Sequence, residues 1–194
     1  MKKVVFFGLV LGTVFLLLNA KPLLSPTIQQ TIHFPKEKIY VNEKYHFQFN
    51  YPILWQMEKW DLEEATGFKN LTDGTILYQG KFFGQNGHFE ILIWQNKSKA
   101  SVRNWLTWFR HEDLILPDLP QKENYSLAGL PAIRYLQQTT ARKKPILYIF
   151  LAKDDKIYEL LQEREDLRQI EATQSSQLAH PVYDQILASF KLEK

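Results

Sequence analysis

The chain has no cysteine. That removes disulfides, thiolate nucleophiles, Cys-ligated zinc and a lipid-modified N-terminal cysteine, and it leaves either redox compartment open. A concentrated basic excess is missing as well. Two of the 24 Lys and Arg are Lys2 and Lys3, and without them 22 basic side chains stand against 21 acidic ones. A nucleic-acid-binding domain gathers positive charge on one face. The densest cluster here, Arg142-Lys143-Lys144 before Pro145, reads instead as a solvated hairpin tip. No nucleic-acid partner is expected. The local signatures of covalent, zinc and phosphate chemistry are also lacking: G-x-S-x-G, S-x-x-K, H-E-x-x-H, G-x-G-x-x-G and the phosphate loop do not occur. No period of roughly 20–50 residues repeats, which excludes a solenoid or propeller.

What is abundant is aromatic. Five Trp, 9 Tyr and 13 Phe make up 14% of the 194 residues, beside 45% hydrophobic and 23% charged residues overall. Such a composition belongs to a folded domain whose core is filled largely by rings. At the N-terminus, Lys2-Lys3 precede an uncharged, mainly apolar run from Val4 to Leu18, followed by Asn19-Ala20. A positive flank and an apolar stretch of this length are the pattern of an export signal. As a helix the run would be about 22 Å long, short of a hydrocarbon core of roughly 30 Å. Residues 1–20 are therefore expected to be either a signal peptide ending at Ala20 or an uncleaved membrane anchor. Either way the rest of the chain is expected to be extracytoplasmic, anchored or secreted, because the lysines stay inside. Pro22, Pro26 and Pro35 mark residues 21–39 as a linker or arm, and residues 40–194 read as a single α+β domain.

Within that domain Tyr45, Phe47, Phe49 and Tyr51 alternate with polar residues, the period of a half-buried strand that Pro52 ends. Trp55, Met57 and Trp60 follow with less regular spacing. Thr75–Phe83 and His88–Gln95 form a strand pair around Gly84-Gln85-Asn86-Gly87. Val102, Trp105, Leu106 and Phe109 recur at helical spacing after Ser98 and Ser101, either of which can cap the helix. Tyr125–Leu127 and Leu130–Gln138 read as strands around Ala128-Gly129. Pro145–Ala152 is apolar on both faces and must be an interior strand covered on both sides. Asp154-Asp155 turn it into Lys156–Leu161. Pro181 opens a last helix whose stripe is Val182, Ile186, Leu187 and Phe190. The expected fold is an antiparallel sheet of about six strands with helices on both faces, an α/β/α sandwich.

Four segments, FQFNYPILW (47–55), YSLAGLPAIRY (125–135), ILYIFLAKDDKIYEL (146–160) and YDQILASFKL (183–192), occur in the order found in the PsbP/Mog1-like domain family, which the chain resembles from residue 45 to 192. The resemblance implies an antiparallel sheet between helices and a binding or accessory role. The family includes extrinsic photosystem II subunits, a GTPase-binding nuclear protein and exported bacterial members. It places no functional residue on this sequence.

Candidate chemistry is sparse. His88 and Glu90 are two apart on one strand and point the same way, so they can supply two metal ligands, with His46 or Glu159 as a third. On the same pattern they are simply polar residues of a partly exposed face. His111-Glu112-Asp113 closes the middle helix, where His111 meets its C-terminal dipole. Glu163-Arg164-Glu165-Asp166 with Arg168 reads as a solvated mixed-charge run, and His33 and His180 add no cluster. Trp108, with Trp94 or Trp60, can form an aromatic platform for a glycan or peptide, although core packing is the ordinary explanation of such residues. The expected function is a non-catalytic extracytoplasmic binding or accessory domain of the cell envelope. It needs no cofactor, is attached to the membrane through its N-terminal segment and faces a protein or other envelope partner. Two alternatives stand beside it, an envelope metal-dependent hydrolase using His88 and Glu90 and an aromatic-platform glycan-binding module.

Overall fold

Alternation along Phe47–Pro52 puts Phe47, Phe49 and Tyr51 on one side of a strand and Gln48, Asn50 and Pro52 on the other, and only the first set is buried. That strand belongs to a small sheet lying over a larger one. The computed structural model describes residues 36–66, 71–84, 87–109, 124–137, 145–163 and 180–193. The segment 1–20, the arm as far as residue 35, His111-Glu112-Asp113, Arg142-Lys143-Lys144 and the run 164–168 lie outside them. Among the described residues no helix is long and apolar enough to cross a membrane.

In chain order the elements are β1 (Glu37–Asn42), β2 (Phe47–Pro52), β3 (Gln56–Asp61), α1 (Leu62–Thr66), β4 (Ile76–Gly84), β5 (Gly87–Gln95), α2 (Val102–Phe109), β6 (Tyr125–Leu127), β7 (Leu130–Gln137), β8 (Ile146–Lys153), β9 (Lys156–Glu163), α3 (Pro181–Ser189) and β10 (Lys191–Leu192). Seven strands form one sheet in the order β3-β4-β5-β9-β8-β7-β6, and β1-β2-β10 form a second. Every pairing is antiparallel. The class expected from sequence, antiparallel α+β, is what the structure has.

The arrangement of layers differs from the expected sandwich. One face of the large sheet, carrying Phe82, Phe89, Ile91, Ile149, Leu151, Tyr158 and Leu160, packs against Phe47, Phe49 and Tyr51 of the small sheet and against Tyr183, Ile186 and Leu187 of α3. The opposite face, with Leu92, Trp94, Ile133, Tyr135, Tyr148 and Phe150, packs against Val102, Trp105 and Leu106 of α2. A sheet with a helix beside it thus covers the face on which a helix alone was expected. The reason lies in β1, β3 and β10. They are edge strands, exposed along most of their length or only two residues long, so they carry almost no buried-exposed alternation. β1 also starts at Glu37, inside the stretch read as an arm.

β8 is interior and covered on both sides, Ile149 and Leu151 facing the small sheet and Tyr148 and Phe150 facing α2. Ser101, not Ser98, caps α2: its hydroxyl accepts the Asn104 N–H at 3.3 Å. Ser98 is held in the preceding loop, its N–H donating to Asp73. In α3 the ring that turns inward is Tyr183, with Ile186 and Leu187. Phe190 follows the helix and stacks 6.1 Å from Phe47.

Candidate functional site

The two-residue loop between β4 and β5 pairs Gly84 with Gly87 and puts His88 at the start of β5, opposite Glu163 at the end of β9. His88 Nε2 lies 3.8 Å from Glu90 Oε2, and Nδ1 lies 3.8 Å from Glu163 Oε1. Glu90 also accepts from the Gln79 amide. The structure therefore brings His88 and Glu90 together, as their spacing implied, and adds Glu163. The two imidazole nitrogens leave the ring on different edges, so one ion can use either the Glu90 side or the Glu163 side. No group of three His, Cys, Asp or Glu among the described residues is arranged to hold a metal. The suggested third ligands are elsewhere. His46 sits in the β1–β2 turn with a φ of +52°, and Glu159 is buried, accepting the Trp94 Nε1–H at 2.7 Å.

The tryptophans separate as well. Trp94 is buried and stands edge-on to Trp105, ring centroids 5.3 Å apart. It belongs to the core under α2. Trp60, on edge strand β3, is 42% exposed, and Trp108, on α2, is 55% exposed. Trp60 pairs with Gln79, which pairs with Leu92, so it shares the α2 face of the sheet.

A separate concavity lies away from these residues. It is an open groove of about 360 Å³ between β6 and α3, lined by Tyr125, Ser126, Leu127, Ala128, Asp184, Leu187, Ala188 and Phe190. Another hollow, beside Glu37, Tyr51 and Gln185, has room for about one water, roughly 10 Å³. The groove's first wall follows from a tight hairpin. Ala128 and Gly129 have φ of +52° and +77°, the two positive values of a type I′ turn, between the paired residues Leu127 and Leu130. In such a hairpin the flanking pair exchanges both backbone bonds and the next pair, Ser126 and Pro131, exchanges none. Pro131 has no N–H to offer, which suits that position. Ser126 consequently turns its N–H and C=O away from β7, and β6 is the last strand of the sheet.

The ladder is closed off behind it by a side chain. Asn124 accepts the Arg134 N–H at 2.8 Å and donates to the Arg134 carbonyl at 3.0 Å, doing for Arg134 what one more backbone pair would do. The Arg134 guanidinium lies 4.8 Å over the Tyr125 ring. The second wall is α3. Leu187 and Phe190 are rooted in the core, whereas Asp184 and Ala188 are exposed. Asp184 Oδ2 accepts the His180 N–H at 2.8 Å, which fixes the first turn behind Pro181. Among the described residues the groove thus offers a strand edge paired on one side, the buried side chains of Leu187 and Phe190 at its base and one carboxylate. These are the elements of a binding surface. Sequence reasoning missed it because its two walls are more than fifty residues apart. The Ala-Gly-x-Pro turn and the alanine on α3 were the only traces.

No family model matches the chain, and no curated protein matches it. Among solved structures it is similar to the solution structure of cyanobacterial PsbP (CyanoP) from Synechocystis sp. PCC 6803, with a TM-score of 0.46 and 13% identity over 84% of this chain and 95% of that one. It is also similar to a crystal structure from Bacteroides thetaiotaomicron VPI-5482, with a TM-score of 0.46 and 12% identity over 81% of this chain. The match covers 48% of the Bacteroides chain, so the protein spans about half its length. The likeness concerns the fold and brings no site residue with it.

Proposed function

We propose that the chain is a non-catalytic extracytoplasmic binding or accessory domain of the cell envelope, exported by residues 1–20 acting as a signal peptide or as a membrane anchor. The observation that carries the binding reading is the groove between β6 and α3, a ligand-sized open cleft bounded by a strand edge that is free among the described residues and by a helix wall. Its location rests on Lys2-Lys3 and the apolar run Val4–Leu18. A metal-dependent hydrolase has less support, because each nitrogen of His88 faces a single carboxylate. A glycan platform is weakened by the burial of Trp94.

The test uses the full chain in its own cells, with a photoreactive residue in place of Ala188 in the groove or of Thr107 on the exposed side of α2. Adducts at position 188 and none at 107 are expected, together with digestion of the domain by protease added to intact spheroplasts. Equal adducts at both positions, or none, would remove the groove reading. Full protection of the domain in intact spheroplasts would remove the location.

A further inference from the structure

We infer that the groove takes a short extended peptide, laid as an added strand along the free edge of β6 with a basic side chain toward Asp184. The inference rests on the binding reading above and names its ligand. Ser126 is the reason for choosing a peptide. Its backbone N–H and C=O point away from β7, and only an extended backbone presents an acceptor and a donor at the matching spacing. An added strand would lie about 4.8 Å from β6 and bring its side chains alternately toward and away from α3. On the α3 side they meet Leu187, Phe190 and the small Ala188, which leaves room for an aliphatic side chain between strand and helix. Asp184 is the charged residue of the lining. One of its oxygens is engaged by the His180 N–H and the other is available to a Lys or Arg.

The ligand is short because the edge is short. β6 has three residues, and beyond it the Asn124 side chain has already replaced the ladder, so the peptide contributes one pair of backbone hydrogen bonds, to Ser126. Affinity then depends on the side chain packed against α3 as much as on the backbone. That argues for selectivity at alternate positions of the peptide, with the basic residue and the aliphatic residue on the same side of its strand.

The probe is a library of seven-residue peptides displayed on phage and panned against the full chain in detergent micelles. Enriched sequences should pair a Lys or Arg with an aliphatic residue two positions away, and the Ala188→Arg variant, whose exposed side chain fills the groove, should not retain them. For a synthetic peptide so selected, Ser126→Pro should weaken binding roughly three- to tenfold through loss of one hydrogen bond. The substitution leaves the β6–β7 ladder intact, because the lost N–H does not point at β7. N-methylation of the one peptide amide that donates to the Ser126 carbonyl should have the same effect and needs no change in the protein. Asp184→Asn should cost up to about fivefold, less at high salt. Absence of enrichment would overturn the peptide class. Binding that survives both Ser126→Pro and N-methylation at every position would overturn strand addition and leave groove binding standing. Binding that also survives Ala188→Arg would remove the groove reading itself.

Discussion

The two faces of the seven-stranded sheet are made by the same strands and are filled in different ways. Under the small sheet, Phe49 stands 4.9 Å from Phe82 and 5.2 Å from Phe89, and Tyr51 stands 5.0 Å from Phe82. The phenols on this side bond to each other or to backbone. Tyr40 and Tyr78 share a hydrogen bond of 2.6 Å, Tyr45 donates to the Leu77 carbonyl, and Tyr158 donates to the Tyr45 carbonyl. Under α2 the core is smaller and holds a buried carboxylate, Glu159, against Trp94. The difference follows from length. The eight residues of α2 extend about 12 Å, whereas the nine residues of β5 extend about 30 Å. One short helix cannot cover a strand of that length, and His88 and Glu90 occupy the part of β5 beyond the core packed on it. A second sheet covers its face more completely, and the buried carboxylate on that side, Asp61, sits at the end of edge strand β3 against Lys44.

Removing a ring from the sealed face should have the largest effect. Phe49→Ala should cost about 3–5 kcal/mol in urea unfolding, because Phe49 is fully buried among six other rings. A loss under about 1 kcal/mol would mean that this face can collapse and is less tightly built than its geometry implies.

On the other face the question is whether the carboxylate is there for stability. Glu159→Ala should cost about 1–3 kcal/mol by leaving the Trp94 N–H without its acceptor. Replacing both members, Trp94→Phe with Glu159→Leu, should recover most of that loss, as apolar replacements of buried polar pairs commonly do. A double variant as unstable as the single one would show that Glu159 has a structural role beyond Trp94.

The junction of the two faces can be tested at Gly87. A Cβ there would overlap the Tyr183 hydroxyl, which accepts the His88 N–H at 3.1 Å and donates to the Glu163 carbonyl at 3.0 Å. Gly87→Ala should therefore lose about 1–3 kcal/mol, and Gly87→Ala with Tyr183→Phe should lose less than the sum of the two single changes.

The smallest effects should appear in the pH dependence of the urea midpoint, and they mark opposite ends of the scale. Burial, reinforced by the hydrogen bond with Tyr40, holds the Tyr78 phenol above its ordinary value, and burial with Asp154 and Asp155 nearby does the same for Tyr158. A raised folded value favours the protonated form. Their contribution is present below about pH 10 and is lost as pH rises above it. Tyr78→Phe should flatten that alkaline decline. Asp61 behaves in the opposite sense. Burial works to raise its value, but the hydrogen bonds from Lys44, at 2.8 Å, and from the Glu64 N–H outweigh it and hold the carboxyl below its usual range. Its contribution is present above about pH 4 and is lost as pH falls through the lower folded value. Asp61→Asn should flatten the acid limb.

How much of this was legible in advance depended on where a residue's neighbours lie in the chain. The alternation in β2, the glycines of the β4–β5 loop, the doubly apolar β8 and Pro181 at the head of α3 are local patterns, and each marks the element that the structure contains there. The neighbourhood of His88 and Glu90 was legible for the same reason, since residues two apart on a strand share a face. Glu163 was not, because it reaches His88 only through the β5–β9 register. Trp94 and Trp108 look alike as sequence, and only the packing of α2 buries one and leaves the other exposed.

The sequence by itself determined the antiparallel α+β character, the interior position of β8 and the turns that fold neighbouring strands onto one another. Periodicity, turn chemistry and charge placement are properties of a few adjacent residues, and no distant contact is needed to express them. The tertiary structure decided that a second sheet covers one face, that Glu159 is buried against Trp94, and that β6 and α3 stand apart with a groove between them. Those outcomes depend on distances between segments far apart in the chain. Exposed edge strands and open clefts are held by few contacts of their own, so they impose little pattern on the residues that form them.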